Sequence, residues 1–225
     1  MSTTTIPSVP ETQDSPPGRG GAFENAVVLS QIDWEEYVLL RDKPGNPGLR
    51  MTFDDGVLEI MTLSSFHELI SMLIHTFIHE WRMARNIQIR SSGSMTLRCK
   101  SINRGLEGDQ SYYIQNEPRV RALNKIDLET APPPDLAIEV EHRAAAIRKM
   151  PIYARLGVPE VWRWHDEMLT IHRLVDGEYV EQEDSTALPG FPFKQLRTAL
   201  SQRSKVDETT LMRQFRQSLE SCPGD

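Results

Sequence analysis

Apolar residues recur at helical spacing through Phe66, Leu69, Leu73, Phe77 and Trp81, which predicts a helix over 66–84 with one buried face. Ser65, with Glu68 three residues on, supplies a capping box at its start. Ser30 with Asp33 forms a second such box and opens a shorter helix over 32–41, which the prolines and glycines at 44–48 end. Elsewhere the apolar period shortens to two. LRMTF and VLEIMT flank Asp54-Asp55-Gly56 and read as a hairpin. Strands are expected over 87–90, 95–99 and 111–114, followed by a loop from 115 to 134 that ends in three prolines. DLAIEVE, 135–141, is a short apolar strand with an acid in its middle. Residues 144–156 read as helical with Gly157 as a C-terminal cap, and Pro151 fits the first turn of a second, shorter helix within that span. Strands over 161–164, 169–174 and 178–181 follow, the last two joined at Asp176-Gly177, and two helices starting near Lys194 and Asp207 close the chain.

This order predicts an α/β protein with a mixed central β-sheet flanked by helices. Residues 1–24, rich in Ser, Thr, Pro and Gly, read as a disordered tail. Residues 25–225 read as a single domain that includes the C-terminal helices, a size one core can serve.

Composition narrows the setting. Hydrophobic residues make up 39% of the chain, yet no apolar run approaches the roughly 20 residues needed to span a bilayer. The N-terminus lacks the basic start and apolar stretch of a signal peptide, and Cys99 and Cys222 stand far apart, so a reduced, cytoplasmic setting is expected and no membrane partner. A net charge of −7 argues against indiscriminate coating of DNA. Arg82, Arg85, Arg90, Arg98, Lys100 and Arg104 make the middle locally basic, a pattern that favours a solvated face over a nucleic-acid surface.

The chemistry lies in acids placed on strands. Glu139 sits inside an apolar strand, and Glu141 shares its face. Burying a carboxylate costs several kcal/mol unless a cation or donors compensate, and a hard divalent ion is one such cation. Asp109, before the SYYI strand, could add a second carboxylate, and Lys149 a point charge. The alternative is an acid at a sheet end, bonded to backbone or paired with Arg143 or Arg148, and spacing alone leaves both readings open. His75 and His79 have the i, i+4 spacing of a zinc site, but Thr76 stands where the zincin signature needs Glu, and no third ligand is identified. Trp162 and Trp164 share one strand face and read as core or interface packing.

From Asp54 to Phe191 the chain resembles the Uma-two family of restriction-endonuclease-like proteins, in the PD-(D/E)xK nuclease superfamily. The resemblance rests on DGVLEIM followed by His67, EGDQSYYIQNE, PPPDLAIEVE and KMPIYARLGVPEVWRW. It implies that Asp109 is the first acid of the pattern, Glu139 the second, and Lys149 the lysine that stands four residues before Tyr153. Gly108 replaces the family's usual proline, and Glu141 takes the place where the superfamily often has its lysine, as a third metal ligand or a group that repels phosphate. Asp135 also follows a proline and competes with Asp109 for the first position; Glu59 and His67 match family positions as supporting residues that could orient a water or ligate a metal. The resemblance implies a Mg²⁺- or Mn²⁺-dependent endonuclease that hydrolyses DNA phosphodiester bonds, with Asp109 and Glu139 on the metal. The rival is a catalytically inactive nuclease-fold module that binds nucleic acid or a protein partner. Hydrolysis of a small phosphoester and a homodimeric state are left open.

Overall fold

The computed structural model describes residues 26–43, 48–141 and 145–220. The expected tail over 1–24, Cys222, and the part of the 144–156 helix that includes Ala144 lie outside these residues. Among the described residues no helix is long and apolar enough to cross a membrane.

Two sheets carry the fold. The first is antiparallel and combines β1 (Ala26–Ser30), β2 (Leu49–Asp54), β3 (Val57–Thr62), β5 (Thr96–Cys99) and β6 (Arg104–Glu107) in the order β1-β3-β2-β6-β5. The second is mixed, built from β4 (Arg90–Ser91), β7 (Gln110–Tyr113), β8 (Leu136–Glu141), β9 (Glu160–His165), β10 (Met168–Val175) and β11 (Glu178–Gln182) in the order β11-β10-β9-β8-β7-β4. Its one parallel pair is β8 with β9, and the crossover between them carries the helix α4 (Lys149–Arg155). The mixed sheet thus forms as expected, with an antiparallel sheet beside it. The chain passes from the first sheet to the second between β6 and β7, at Gly108-Asp109.

The alternation along β8 decides what lies where. Leu136, Ile138 and Val140 face a core shared with Trp162 and Trp164 of β9 and with α2 (Ser65–Arg85), α5 (Phe193–Gln202) and α6 (Glu208–Glu220). Ala137, Glu139 and Glu141 face the other way, where Ala137 packs with Val161 and with Ile152 and Tyr153 of α4. A third cluster of Tyr37, Met51, Phe53 and Leu58 seats α1 (Trp34–Asp42) on the first sheet.

Several expectations shift in detail. The N-cap of α1 is Asp33, boxed with Glu36, so Ser30 belongs to β1 instead. The N-cap of α2 is Ser64, whose hydroxyl accepts from the His67 N–H. The buried face of α2 runs through Ile70, Leu73, Ile74, Phe77, Ile78 and Trp81, with Leu69 42% exposed, because the helix meets the sheet on an i, i+3, i+4 stripe rotated from the aromatic line. β1 and β6 were not expected; RGLE in β6 has two charges and a glycine, a composition depleted in strands. β4 forms at Arg90–Ser91, at the end of the 87–90 stretch, and a short α3 (Glu117–Val120) interrupts the 115–134 loop.

The capping box on α1 gives a direct check. Asp33→Ala removes the acceptor 2.8 Å from the Glu36 N–H and should cost about 1 kcal/mol in urea unfolding. An unchanged midpoint and slope would mean that α1 is held by the cluster under Tyr37 alone.

Candidate active site

Asp109, Glu139, Lys149 and His67 come together where β6 hands over to β7, opposite β8. All four are between 1 and 6% exposed. The backbone N–H of Asp109 donates to the Ile138 carbonyl at 3.2 Å, and its Oδ2 accepts from the Val140 N–H at 2.6 Å. Two backbone bonds to β8 therefore fix Asp109 beside Glu139. Its other oxygen, Oδ1, lies 2.7 Å from His67 Nε2 in the first turn of α2. Glu139 Oε1 pairs with Lys149 Nζ, and Oε2 accepts from the Tyr153 hydroxyl at 2.8 Å. Lys149 Nζ also donates to the Glu107 carbonyl at 3.4 Å.

The electrostatics follow from burial. Desolvation pushes the Glu139 carboxyl up to about 7; Lys149 and the Tyr153 hydroxyl pull it down, while the Asp109 charge pushes it further up. Burial alone would raise Asp109 as well, but the His67 hydrogen bond and the Lys149 charge hold it below the usual carboxylate range. Burial depresses His67 and Lys149, yet the carboxylates carry both above their ordinary values: His67 through Asp109, Lys149 through Glu139 and then Asp109. Lys149 therefore stays an ammonium at neutral pH. Glu139 is the member whose charge is least compensated.

Two residues behind the cluster set its geometry. Glu59 of β3 is buried, and its two oxygens accept from the N–H groups of Ala146 at 2.9 Å and Ile147 at 3.3 Å. It anchors the approach to α4, which begins at Lys149, with both oxygens bonded to backbone. In sequence Tyr153 only marks the spacing of Lys149; in the fold its hydroxyl bonds Glu139. A Cβ at Gly108 would collide with its hydroxyl, so the glycine leaves room for that hydroxyl to reach Glu139.

The other candidates fall elsewhere. Asp135 is buried, but its oxygens accept from the N–H groups of Ile114 and Asn116 and from the Asn116 amide, which fixes the turn after β7. Glu141 pairs with both forks of Arg163, at 2.9 and 2.5 Å. The partner of Glu139 is Lys149; Arg148 is exposed, and Arg143 lies outside the described residues. His75 meets the Tyr112 hydroxyl and His79 meets Arg82, which answers the zinc spacing with ordinary contacts. The basic stretch is spent on the protein itself: Arg98 pairs with Asp42, Lys100 with Glu35 and Arg104 with Asp54, Arg82 and Arg90 bond carbonyls, and Arg85 lies over Trp81.

A divalent ion can be weighed against this donor set. Among the described residues no group of three or more His, Cys, Asp and Glu side chains is gathered as ligands, which does not fit an all-protein cage. Two neighbouring buried carboxylates, one short of positive charge, fit an ion such as Mg²⁺, which takes one or two carboxylates and keeps its remaining positions for water and substrate phosphate.

These directions predict a pH dependence. With Glu139 raised from 4.5 to about 7, the folded state holds the extra proton between those values, so stability falls as pH rises through them, by on the order of 3 kcal/mol. His67, also raised, loses its contribution in the same direction as pH rises through its folded value. Asp109, lowered, acts only at the acid end, where its contribution is lost as pH falls. Urea unfolding of the metal-free protein from about pH 5 to about pH 8 should show this decline, and Glu139→Gln should flatten most of it. An equal slope in the variant would remove Glu139 as its source.

The mixed sheet with helices on its faces is consistent with the restriction-endonuclease-like fold. The sequence matches the Uma2 family, described as "Putative restriction endonuclease", over residues 34–201, whereas no curated protein matches it. That span covers well over half of the chain and every residue of the buried cluster, and the chain belongs to the Uma2 family.

Proposed function

We propose that the chain is a divalent-metal-dependent endonuclease that hydrolyses DNA phosphodiester bonds at the Asp109–Glu139–Lys149 cluster. The observation that carries this reading is the pair of buried carboxylates sharing one buried lysine, with Glu139 undercompensated. Family membership supports the reaction class, and the chemistry rests on these side chains.

Asp109 and Glu139 would hold Mg²⁺ or Mn²⁺. When bound, the ion supplies a Lewis acid that lowers the pKa of a coordinated water and offsets phosphate charge. His67 keeps Asp109 ionised and fixes one of its oxygens. Tyr153 and Lys149 hold the two oxygens of Glu139, so its orientation is set before substrate arrives. Lys149 is no general base, because its carboxylate neighbours keep it protonated. Its role is to offset the charge that grows on the phosphoryl oxygens as the water oxygen bonds to phosphorus and an ester oxygen departs. Glu59 places this ammonium by anchoring the backbone just before α4.

One observation favours the second reading, a non-catalytic module that keeps the fold to bind nucleic acid or a protein. The cluster is almost wholly out of reach of solvent, as a structural ion-pair network would be.

Cleavage of plasmid and linear DNA with Mg²⁺ or Mn²⁺, beside calorimetric titration of the metal, separates the two. Glu139→Gln should abolish metal binding and lower cleavage by at least about a hundredfold in a folded protein. Lys149→Ala should leave the metal affinity within a few-fold and slow turnover by about a hundredfold. A wild-type protein that binds no divalent ion and cuts neither DNA would end the catalytic reading.

A further inference from the structure

Glu141 stands where the superfamily pattern often has its lysine, and in the fold it has a definite partner. Glu141 grips Arg163 through Nε and Nη2, at 2.9 and 2.5 Å. Arg163 is the register partner of Glu139 across the parallel β8–β9 pair, so its side chain leaves the same face of the sheet one strand away. Burial separates it from the cluster: the Arg163 side chain is 30% exposed, while Lys149 and Glu139 are 6 and 1% exposed. Arg163 is thus a partly exposed cation one strand from the buried Glu139.

We propose that Arg163 is a substrate-binding residue that contacts a DNA phosphate at the mouth of the site, with Glu141 as the positioning residue that holds its guanidinium. This rests on the nuclease reading above. A guanidinium has five N–H donors; Glu141 takes two, and Nη1 meets no partner among the described residues. The remaining donors keep the planar fork suited to phosphate oxygens. The bidentate grip freezes a side chain that otherwise loses rotamer freedom on binding. The Glu141 hydrogen bonds and charge, and then the Glu139 charge, favour the cationic form of Arg163. Glu141 is thus neither a third metal ligand nor a bare negative charge facing phosphate. The surroundings are mixed in sign: Asp166 also acts on Arg163 and pairs with His165, the register partner of Glu141, and Thr170 stands opposite Arg163 on β10.

The test measures binding of a short fluorescent DNA duplex in EDTA across a salt series, and steady-state cleavage of the same duplex in Mg²⁺, with circular dichroism to check folding. Arg163→Gln should reduce the slope of log K against log salt by about one and weaken binding about tenfold. In cleavage it should raise KM by a similar factor and leave kcat within a few-fold. The deciding variant is the double change Glu141→Gln with Arg163→Gln, which strands no charge and guards against misfolding of the single one. If Arg163 merely neutralises Glu141, the double variant regains wild-type binding and slope, which overturns the proposal. If Arg163 contacts phosphate, the double variant stays as weak as Arg163→Gln. A wild type that cuts DNA while Arg163→Gln matches it in slope and KM sinks this inference alone; a wild type that neither binds nor cuts DNA sinks the nuclease reading with it.

Discussion

A carboxylate inside a sheet, with less positive charge around it than it needs, is the constraint around which this molecule is arranged. Glu139 sits at the middle of β8, flanked by apolar residues along the strand. Moving such a group out of water costs several kcal/mol, and a single buried ammonium rarely repays the whole of it. The surrounding elements read as partial answers. α4 brings Lys149 and Tyr153 to the two oxygens, the crossing between the sheets brings Asp109, and α2 brings His67 to Asp109. The first sheet holds the approach to α4 through Glu59. None of these residues is close to all the others in sequence, so the site exists only when both sheets and two helices are in place. What is left over is a shortfall of positive charge on Glu139, which burial pushes toward its protonated form.

The elements that sequence reading located are those whose signals are local. The β2–β3 hairpin is marked by its Asp-Gly turn, with positive φ at Asp55 and Gly56, and the β10–β11 hairpin likewise at Asp176 and Gly177. Pro151 fell in the first turn of α4, where a missing N–H costs nothing. β1 and β6 went unseen because their sequences do not alternate cleanly; they are strands by virtue of β2 and β3 on which they pair. The split into two sheets was likewise invisible, since which strand pairs with which is a long-range choice. At the site, the acid inside β8 was legible because an acid in an apolar run violates a local rule. Asp135, which follows a proline, competes in sequence with Asp109 for the place of that acid's partner. The backbone bonds of Asp109 to Ile138 and Val140, set against those of Asp135 to Ile114 and Asn116, distinguish the two.

Glu141 and Arg163 illustrate why a motif position cannot be judged by residue type alone. Read as a sequence, a glutamate where a lysine is common is a sign change beside a phosphate-handling site. In the fold, the parallel register sets Arg163 against Glu139, and Glu141, two residues on and on the same face, is in reach of the guanidinium. The pair is electrically neutral as a unit but not symmetric, because the carboxylate spends its oxygens on the arginine while the arginine keeps donors to spare. A lysine at 141 would present a single flexible ammonium there. The Glu–Arg pair presents a planar fork at a fixed angle, one strand further out. Position 141 and position 163 therefore act as one group split over two strands. A change at either is best read against the other, since the loss of one alone leaves a half-buried charge whose own cost masks whatever the pair contributes.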